Sequence, residues 1–403
     1  MSLDVIPFKK AHELVIQHAQ HYGVEEVPLL QAMGRVLHNP IVADRDFPPF
    51  NRATKDGIVI HYKAIAEGVT SFKIDSVIAA GSPTIPLTDQ HSCHEIMTGA
   101  VVPDNADTVV MYEHITMANG YATLTKIPEK GIDIHYQGTD KKKGTILLEE
   151  NTKISAAAIG VLAAVGAAKV TVKKVPKITL ISTGNELVDV SETPLPHQIR
   201  KSNMQTLYAA LYEEGIVAKE LHLEDDLELT TEALRKALVA NDVLLLSGGV
   251  SKGKFDYLPV ALENLGVKKV FHRVLQRPGK PFWFGIHEAT NTMVFSFPGN
   301  PASTFANYHL YFKDWLALSL GLPVKKLMVI LDEEVSVSGD LTRCIAAKIR
   351  LQEGKLLAQL IPGNGSGDLT HLSEADGFLL FDPEKGPFPK GKCVPFIPTR
   401  RLM

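Results

Sequence analysis

Cysteine is scarce. Cys93, Cys344 and Cys393 are the three in 403 residues, far apart and odd in number. They have neither metal-ligand spacing nor a disulfide framework, so zinc modules and disulfide-stapled secreted folds are excluded and a reducing cytoplasm is expected. No apolar run is long enough to cross a bilayer, and residues 1–14 have no apolar core of the kind a signal peptide needs. Excess charge is also lacking: 42 Lys and Arg against 45 Asp and Glu leave a net charge of -3, so no nucleic-acid or membrane surface is indicated. Internal repeats and low-complexity linkers are absent as well. The apolar content of 45% is that of a soluble globular protein, and the length calls for more than one core.

Chemistry is concentrated between Leu244 and Pro281. A strand-like run, Val243 to Leu246, opens onto Ser247-Gly248-Gly249-Val250-Ser251. Lys252, Lys254 and Asp256 follow, then a helical segment. A second strand, Val270 to Leu275, ends in Gln276-Arg277-Pro278-Gly279-Lys280-Pro281. Small residues at a strand's carboxyl end let backbone N–H groups approach a phosphate. Asp256 can hold a divalent cation on that phosphate, and Arg273, Arg277 and Lys280 bring positive charge. A Ser-Gly-Gly turn alone is often only a tight turn. Its recurrence with a carboxylate and a basic Pro-Gly-Lys-Pro loop in one strand–helix–strand unit argues for a phosphorylated, anionic ligand.

Along the chain, residues 1 to about 45 read as helical from the spacing of Ala11, Leu14, Val15 and Ala19, and again of Leu29, Leu30, Met33 and Val36. The adjacent Pro48 and Pro49 favour an extended segment leading to a turn at Asp56-Gly57. From Gly57 to about Lys143, short apolar runs divided by Gly, Pro and Asp predict a β insertion. Within it Thr98 offers a hydroxyl and Gly99 an accessible N–H. A helix is expected from Ile154 to Val165. Residues 177 to about 322 alternate strands and helices in an α/β doubly wound pattern, whose ligands sit at the carboxyl ends of the strands. The loops holding Glu186, Ser247 to Asp256, Arg277 to Lys280, and Pro298-Gly299-Asn300-Pro301-Ala302-Ser303 all fall there. Past Pro323 the pattern is again β, predicting a small barrel or sandwich.

The motifs QAMGRVL, DFPPFNRATKDG, IMTGAVVPDNADTVV, GTDKKKG, STGNEL, IRKSN, SGGVSKGKFDY, RPGKPFWFG, FPGNPAS and GSGDLTHLSEADG occur in that order. Together they resemble the MoeA family of molybdopterin molybdenumtransferases along nearly the whole chain. The resemblance implies a multidomain α/β protein: a helical linker domain (1–45 and 144–175), an inserted β domain (46–143), a MogA-like α/β molybdopterin-binding domain (176–324) and a C-terminal β domain (325–403). It implies insertion of molybdate into adenylylated molybdopterin with Mg²⁺, releasing AMP, in a cytoplasmic homodimer whose cleft lies between two subunits. Implied partners are a MogA-type adenylyltransferase and molybdoenzyme apoproteins, with no nucleic acid and no membrane.

Carried onto this sequence, the expected catalytic residues are Asp56, Thr98, Asp140, Glu186, Asp225 and Asp256, with Mg²⁺ on Glu186, Asp225 and Asp256. The expected substrate-binding residues are Ser247, Gly248, Gly249, Ser251, Arg273, Arg277, Lys280, Pro298, Gly299, Asn300, Pro301 and Ser303. The chain departs from the family's usual pattern at Ala53-Thr54-Lys55, Ile58, His135-Tyr136-Gln137, Lys201, Lys254, Arg273 and Arg277. Lys55 is expected to pair with Asp56 or lower its pKa. Two alternatives stay open at this stage: a paralogue acting as a MogA-like molybdopterin adenylyltransferase, and a non-catalytic cofactor-binding or scaffold protein.

Overall fold

The computed structural model describes residues 5–250, 257–337, 339–383 and 387–402. The expected site residues Ser251 and Asp256, with Lys252 and Lys254, lie outside them.

The α/β portion is one twisted sheet. Its strands run in the order Lys219–Leu223, Ile178–Thr183, Val243–Ser247, Thr292–Phe297, Trp283–His287 and Lys268–His272. The first four pair in parallel and the last two join antiparallel. Apolar side chains fill both faces, as a sheet covered by helices on each side requires. The helices Ser202–Glu213, Leu227–Ala240 and Leu258–Asn264 alternate with these strands, as expected. The helical stretch after the Pro298 loop is three pieces, Pro301–Asn307, a π-helical turn Tyr308–Phe312 and Lys313–Ser319.

The N-terminal expectation needs correction. Among the described residues of that stretch only Phe8–Gln17 is α-helix. That helix caps at His18, and beyond Gly23 (φ 84°) Val24–Pro28 is a strand paired with Lys169–Lys173. The Leu29 to Val36 spacing mimicked a helix, but Pro28 and Gly34 (φ 77°) confine it to a 3-10 turn, Leu29–Ala32. Phe8, Ala11 and Val15 pack in the same core as Tyr311 and Trp315 of the α/β portion. The helix Ala156–Ala164 lies instead over Val27, Ala32 and Val172.

Residues 57–124 form a mixed sheet in the order Thr108–Met111, Gly57–Ile60, Ser92–Ile96, Ser71–Ile78, Tyr121–Leu124 and Ile115–Ala118. Gly57 is required there, because a Cβ would overlap the Val110 carbonyl of the adjacent strand. The C-terminal strands close on themselves. Thr342–Gln352 pairs with Lys355–Leu360, then come Leu327–Leu331, Cys393–Pro398 and Gly377–Phe381, which returns to Thr342–Gln352. The result is a closed barrel with its own core of Val329, Leu331, Ala347, Leu379 and Phe396.

One strand positions the site. Val270 to Leu275 was expected to be continuous, but the chain breaks at Arg273 (φ 79°). Before the break, Lys268–His272 belongs to the α/β sheet. After it, Val274–Arg277 pairs in parallel with the barrel strand, Gln276 opposite Thr342 and Arg277 opposite Arg343. The cationic loop is thereby joined to the barrel.

Candidate functional site

A cleft of about 1430 Å³ lies between the carboxyl ends of the α/β strands and the barrel. Glu186, Asp225, Ser247, Gly248, Gly249, Arg277, Lys280, and Pro298, Gly299, Asn300, Pro301 and Ser303 all line it. Arg273, at the strand break, is not in the lining. Asp56, Thr98 and Asp140 are not in the lining either.

The Ser-Gly-Gly turn is built for close approach. Gly248 and Gly249 have φ of 103° and 70°, and a Cβ on Gly249 would lie 2.6 Å from Leu258 Cδ1. The Gly248 N–H donates to Phe297 O at 3.0 Å, tying the turn to the neighbouring strand end. Asn203, in the first turn of Ser202–Glu213, joins three pieces. Its Nδ2 donates to Gly299 O (2.7 Å) and Ser247 Oγ (2.9 Å) and contacts Thr304 Oγ1 (3.4 Å). The Pro298 loop is also fixed to the barrel, through Asn300 Nδ2 donating to Ser366 Oγ (2.8 Å) and Ala302 N–H to Ser366 O (3.1 Å).

The Arg277 to Lys280 loop rests on a buried polar network. Gln276 Nε2 donates to Pro278 O (2.9 Å) and Asn307 Oδ1 (2.8 Å), and Tyr311 OH donates to Gln276 Oε1. Asn307 Nδ2 donates to Gly279 O at 3.2 Å. Fully satisfied buried amides of this kind hold a loop in one shape. Arg277 and Arg343 sit opposite each other across the parallel strands, and Arg343 also lines the cleft. Arg343 Nε is buried with no hydrogen-bond partner among the described residues. Directly opposed like charges disfavour a sheet pair unless an anion lies between them.

The acidic side faces this. Asn185 and Asp225 clasp reciprocally, Asn185 N–H to Asp225 Oδ2 (3.4 Å) and Asp225 N–H to Asn185 Oδ1 (3.2 Å). The Glu186 carboxylate folds over Gly184, where a Cβ would lie 2.7 Å from its Cδ. It makes no hydrogen bond or ion pair among the described residues. Asp226, next to Asp225, is instead a helix cap, accepting from Leu229 N–H at 2.9 Å. Two exposed carboxylates with free oxygens are hard donors suited to Mg²⁺ shared with a phosphate. Among the described residues no group of three or more His, Cys, Asp and Glu forms a metal cluster, and the third expected ligand, Asp256, lies outside them. Lys201 lines the same end of the cleft and, after burial, is the next cause of the lowered His222 pKa.

In the inserted region Asp56 and Thr98 meet directly, whereas Asp140 is held by His135 and Phe47. Thr98 donates to Asp56 Oδ1 through its N–H (2.6 Å) and its hydroxyl (2.8 Å). Those two bonds, backbone first, lower the Asp56 pKa; Lys55 is not a cause, which corrects the expectation. Asp140 receives His135 Nε2 at 2.9 Å.

The sequence matches family models across most of its length: the MoeA N-terminal region (domain I and II) over residues 6–166, a probable molybdopterin binding domain over 179–318, and the MoeA C-terminal region (domain IV) over 329–399. The chain is 35% identical over 396 residues to the molybdopterin molybdenumtransferase of Synechocystis sp. (strain ATCC 27184 / PCC 6803 / Kazusa), covering 97% of this chain and 99% of that one. The chain belongs to the MoeA family. The Bacillus subtilis (strain 168) molybdopterin molybdenumtransferase is 30% identical over 98% of this chain and 94% of its own length. Among solved MoeA-family structures, the molybdopterin biosynthesis MoeA protein of Pyrococcus horikosii superposes with a TM-score of 0.83 at 29% identity, covering 99% of this chain and 100% of that one.

Asn203, Arg343 and Ser366 were not among the expected site residues. Asn203 was visible within IRKSN, but its role depends on strand ends far away in sequence. Arg343 carries no local signal, since only the pairing with Arg277 brings it to the cleft.

Proposed function

We propose that this chain inserts molybdenum into molybdopterin, as a transferase of molybdenum cofactor biosynthesis. The observation that carries the reading is a cleft with opposed poles: Arg277, Lys280 and Arg343 at the barrel end, Glu186 and Asp225 at the α/β end, and the Ser-Gly-Gly turn between. Molybdate is a tetrahedral dianion and suits the cationic pole. A phosphate suits the backbone N–H groups of the turn.

The substrate we assign is adenylylated molybdopterin. Glu186 and Asp225, with Asp256, would hold Mg²⁺, which when bound neutralises phosphoanhydride charge. Arg277 and Arg343 hold the molybdate dianion, and Asn203 keeps the turn and the Pro298 loop in register beside it. Water attacks the adenylyl phosphorus and the anhydride P–O bond breaks, its electron pair staying on the pterin phosphate, so that AMP leaves; the two dithiolene sulfurs bond molybdenum as one Mo–O bond breaks and that oxygen leaves as water with the two thiol protons. The molecule acts as a homodimer, and Asp56, Thr98 and Asp140 reach the cleft of a second copy. The division into a helical linker domain, an inserted β domain, an α/β domain and a C-terminal barrel domain serves that arrangement. We place the enzyme in the cytoplasm, where unpaired Cys93, Cys344 and Cys393 remain thiols; among the described residues no helix is long and apolar enough to cross a membrane. The MogA-like alternative is disfavoured because family matches extend well beyond the α/β portion at both ends.

The test is AMP release from adenylylated molybdopterin with Mg²⁺, with and without molybdate. Molybdate-dependent release is expected, and tight nucleotide binding without release would refute the reading. Mixing Asp56→Ala and Glu186→Ala protomers should restore part of the activity that each homodimer lacks; no restoration would refute the shared cleft.

A further inference from the structure

His135 stands between an arginine and a carboxylate. The short strands Arg52–Ala53 and Ile134–His135 pair antiparallel, with His135 opposite Arg52. Arg52 Nη2 lies 3.1 Å from His135 Nδ1, and His135 Nε2 lies 2.9 Å from Asp140 Oδ1. A guanidinium has donors and no acceptor, so the Nδ1 it faces must present a lone pair. The ring proton is therefore on Nε2, and it is donated to Asp140. Arg52 selects the tautomer and the tautomer holds the carboxylate.

The backbone delivers Asp140 to this ring. Residues 136–139 form a turn in which the Thr139 N–H and hydroxyl both donate to Tyr136 O, at 3.3 and 2.8 Å. Gly138 (φ 71°) donates to Pro48 O at 3.0 Å, and the Asp140 N–H donates to Phe47 O at 2.9 Å. With Oδ1 taken by His135, Oδ2 of Asp140 has no hydrogen bond among the described residues. Asp56, four residues beyond Arg52, is arranged the same way: both Thr98 donors fall on Oδ1. Each carboxylate has one oxygen held from within the chain and the other open.

We propose that His135 is a positioning residue for Asp140, set in its Nε2–H tautomer by Arg52 so that Asp140 offers its second oxygen to an N–H or O–H donor of the substrate. This rests on the reading of Asp140 as an active-site carboxylate. The pairing depends on residue types at this position: a side chain with donors only would hold Asp140 as a salt bridge, whereas His135 needs Arg52 to fix which nitrogen donates.

The test uses the full-length enzyme and AMP release, with His135→Phe, His135→Gln, Asp140→Ala and the double variant His135→Phe/Asp140→Ala. His135→Phe should lower kcat about tenfold with little change in KM, equivalent to one well-placed hydrogen bond. His135→Gln, with an amide donor and acceptor, should recover most of the loss. The double variant should be no slower than Asp140→Ala alone. A further loss in the double variant, or full kcat in His135→Phe alongside an impaired Asp140→Ala, would overturn the positioning role while leaving Asp140 in the site. A wild-type rate in Asp140→Ala would overturn the assignment of Asp140 itself, and the positioning role with it. Independently of activity, ¹⁵N-histidine spectra should show the resonance lost in His135→Phe as the Nε2–H tautomer; an Nδ1–H tautomer would overturn the proposal.

Discussion

Replacing Asn203 by alanine removes a side chain that bonds both the Ser-Gly-Gly turn and the Pro298 loop to the start of the Ser202–Glu213 helix. Its Nδ2 serves Gly299 O at 2.7 Å and Ser247 Oγ at 2.9 Å; the third contact, Thr304 Oγ1 at 3.4 Å, is too long to count for much. Two bonds at about 1 kcal/mol net each put the stability loss near 2 kcal/mol, small enough for the variant to fold. The effect on chemistry should be larger. Both loops line the cleft, and a displacement of about 1 Å in groups that position reactants costs roughly 10²-fold in rate. Asn203→Asp keeps the shape but sets a carboxylate against the Gly299 carbonyl, so it should fall below Asn203→Ala. Steady-state AMP release, with thermal unfolding as the folding control, measures both. Parent-like kcat/KM in the two folded variants would refute the argument that Asn203 holds the loops in register.

Gly279→Ala should destabilise the protein by about 2–4 kcal/mol and raise the KM for molybdate, because φ is 88° and the added Cβ meets the Asn307 side chain; a parent-like melting temperature would refute this. Glu186→Gln and Asp225→Asn should each raise the Mg²⁺ concentration needed for half-maximal AMP release and leave the melting temperature unchanged, since both carboxylates are exposed; an unchanged Mg²⁺ requirement would remove them as ligands. His309 is fully buried, with neither ring nitrogen bonded among the described residues, and burial, with Lys313 adding, pushes its pKa down to about 3. The unfolded chain takes up that proton near pH ~6.5 and the folded chain does not. Stability contributed by the neutral ring is therefore present above the unfolded pKa and falls with pH toward about 3, by up to ~1.4 kcal/mol per unit. His309→Phe should flatten the loss between neutral and mildly acid pH in urea unfolding; an unchanged slope would refute it.

Some of this protein is determined by short-range sequence. Alternation of apolar runs and helices from residue 177, with glycine at strand ends, set out the α/β sheet and put the Glu186, Ser247, Arg277 and Pro298 loops at its carboxyl edge. Periodicity worked there because each element buries a whole face. It failed at Leu29 to Val36, where apolar residues sit three and four apart but Pro28 and Gly34 forbid a helix.

What the tertiary structure decided depends on elements far apart in the chain. The break at Arg273 moves Val274–Arg277 from the α/β sheet to the barrel, and only that transfer sets Arg343 beside Arg277. Asn203 gains its meaning from Ser247 and Gly299, and Ser366 from Asn300, across separations no local pattern can report. The pKa of Asp56 was expected to follow its neighbour Lys55, but it follows Thr98, which sheet pairing brings alongside. Residue types and local backbone limits are written in the sequence. Which charges and donors meet is set by strand pairing and the closure of the barrel, because hydrogen bonds and charge contacts act over a few ångströms of space and are blind to distance along the chain.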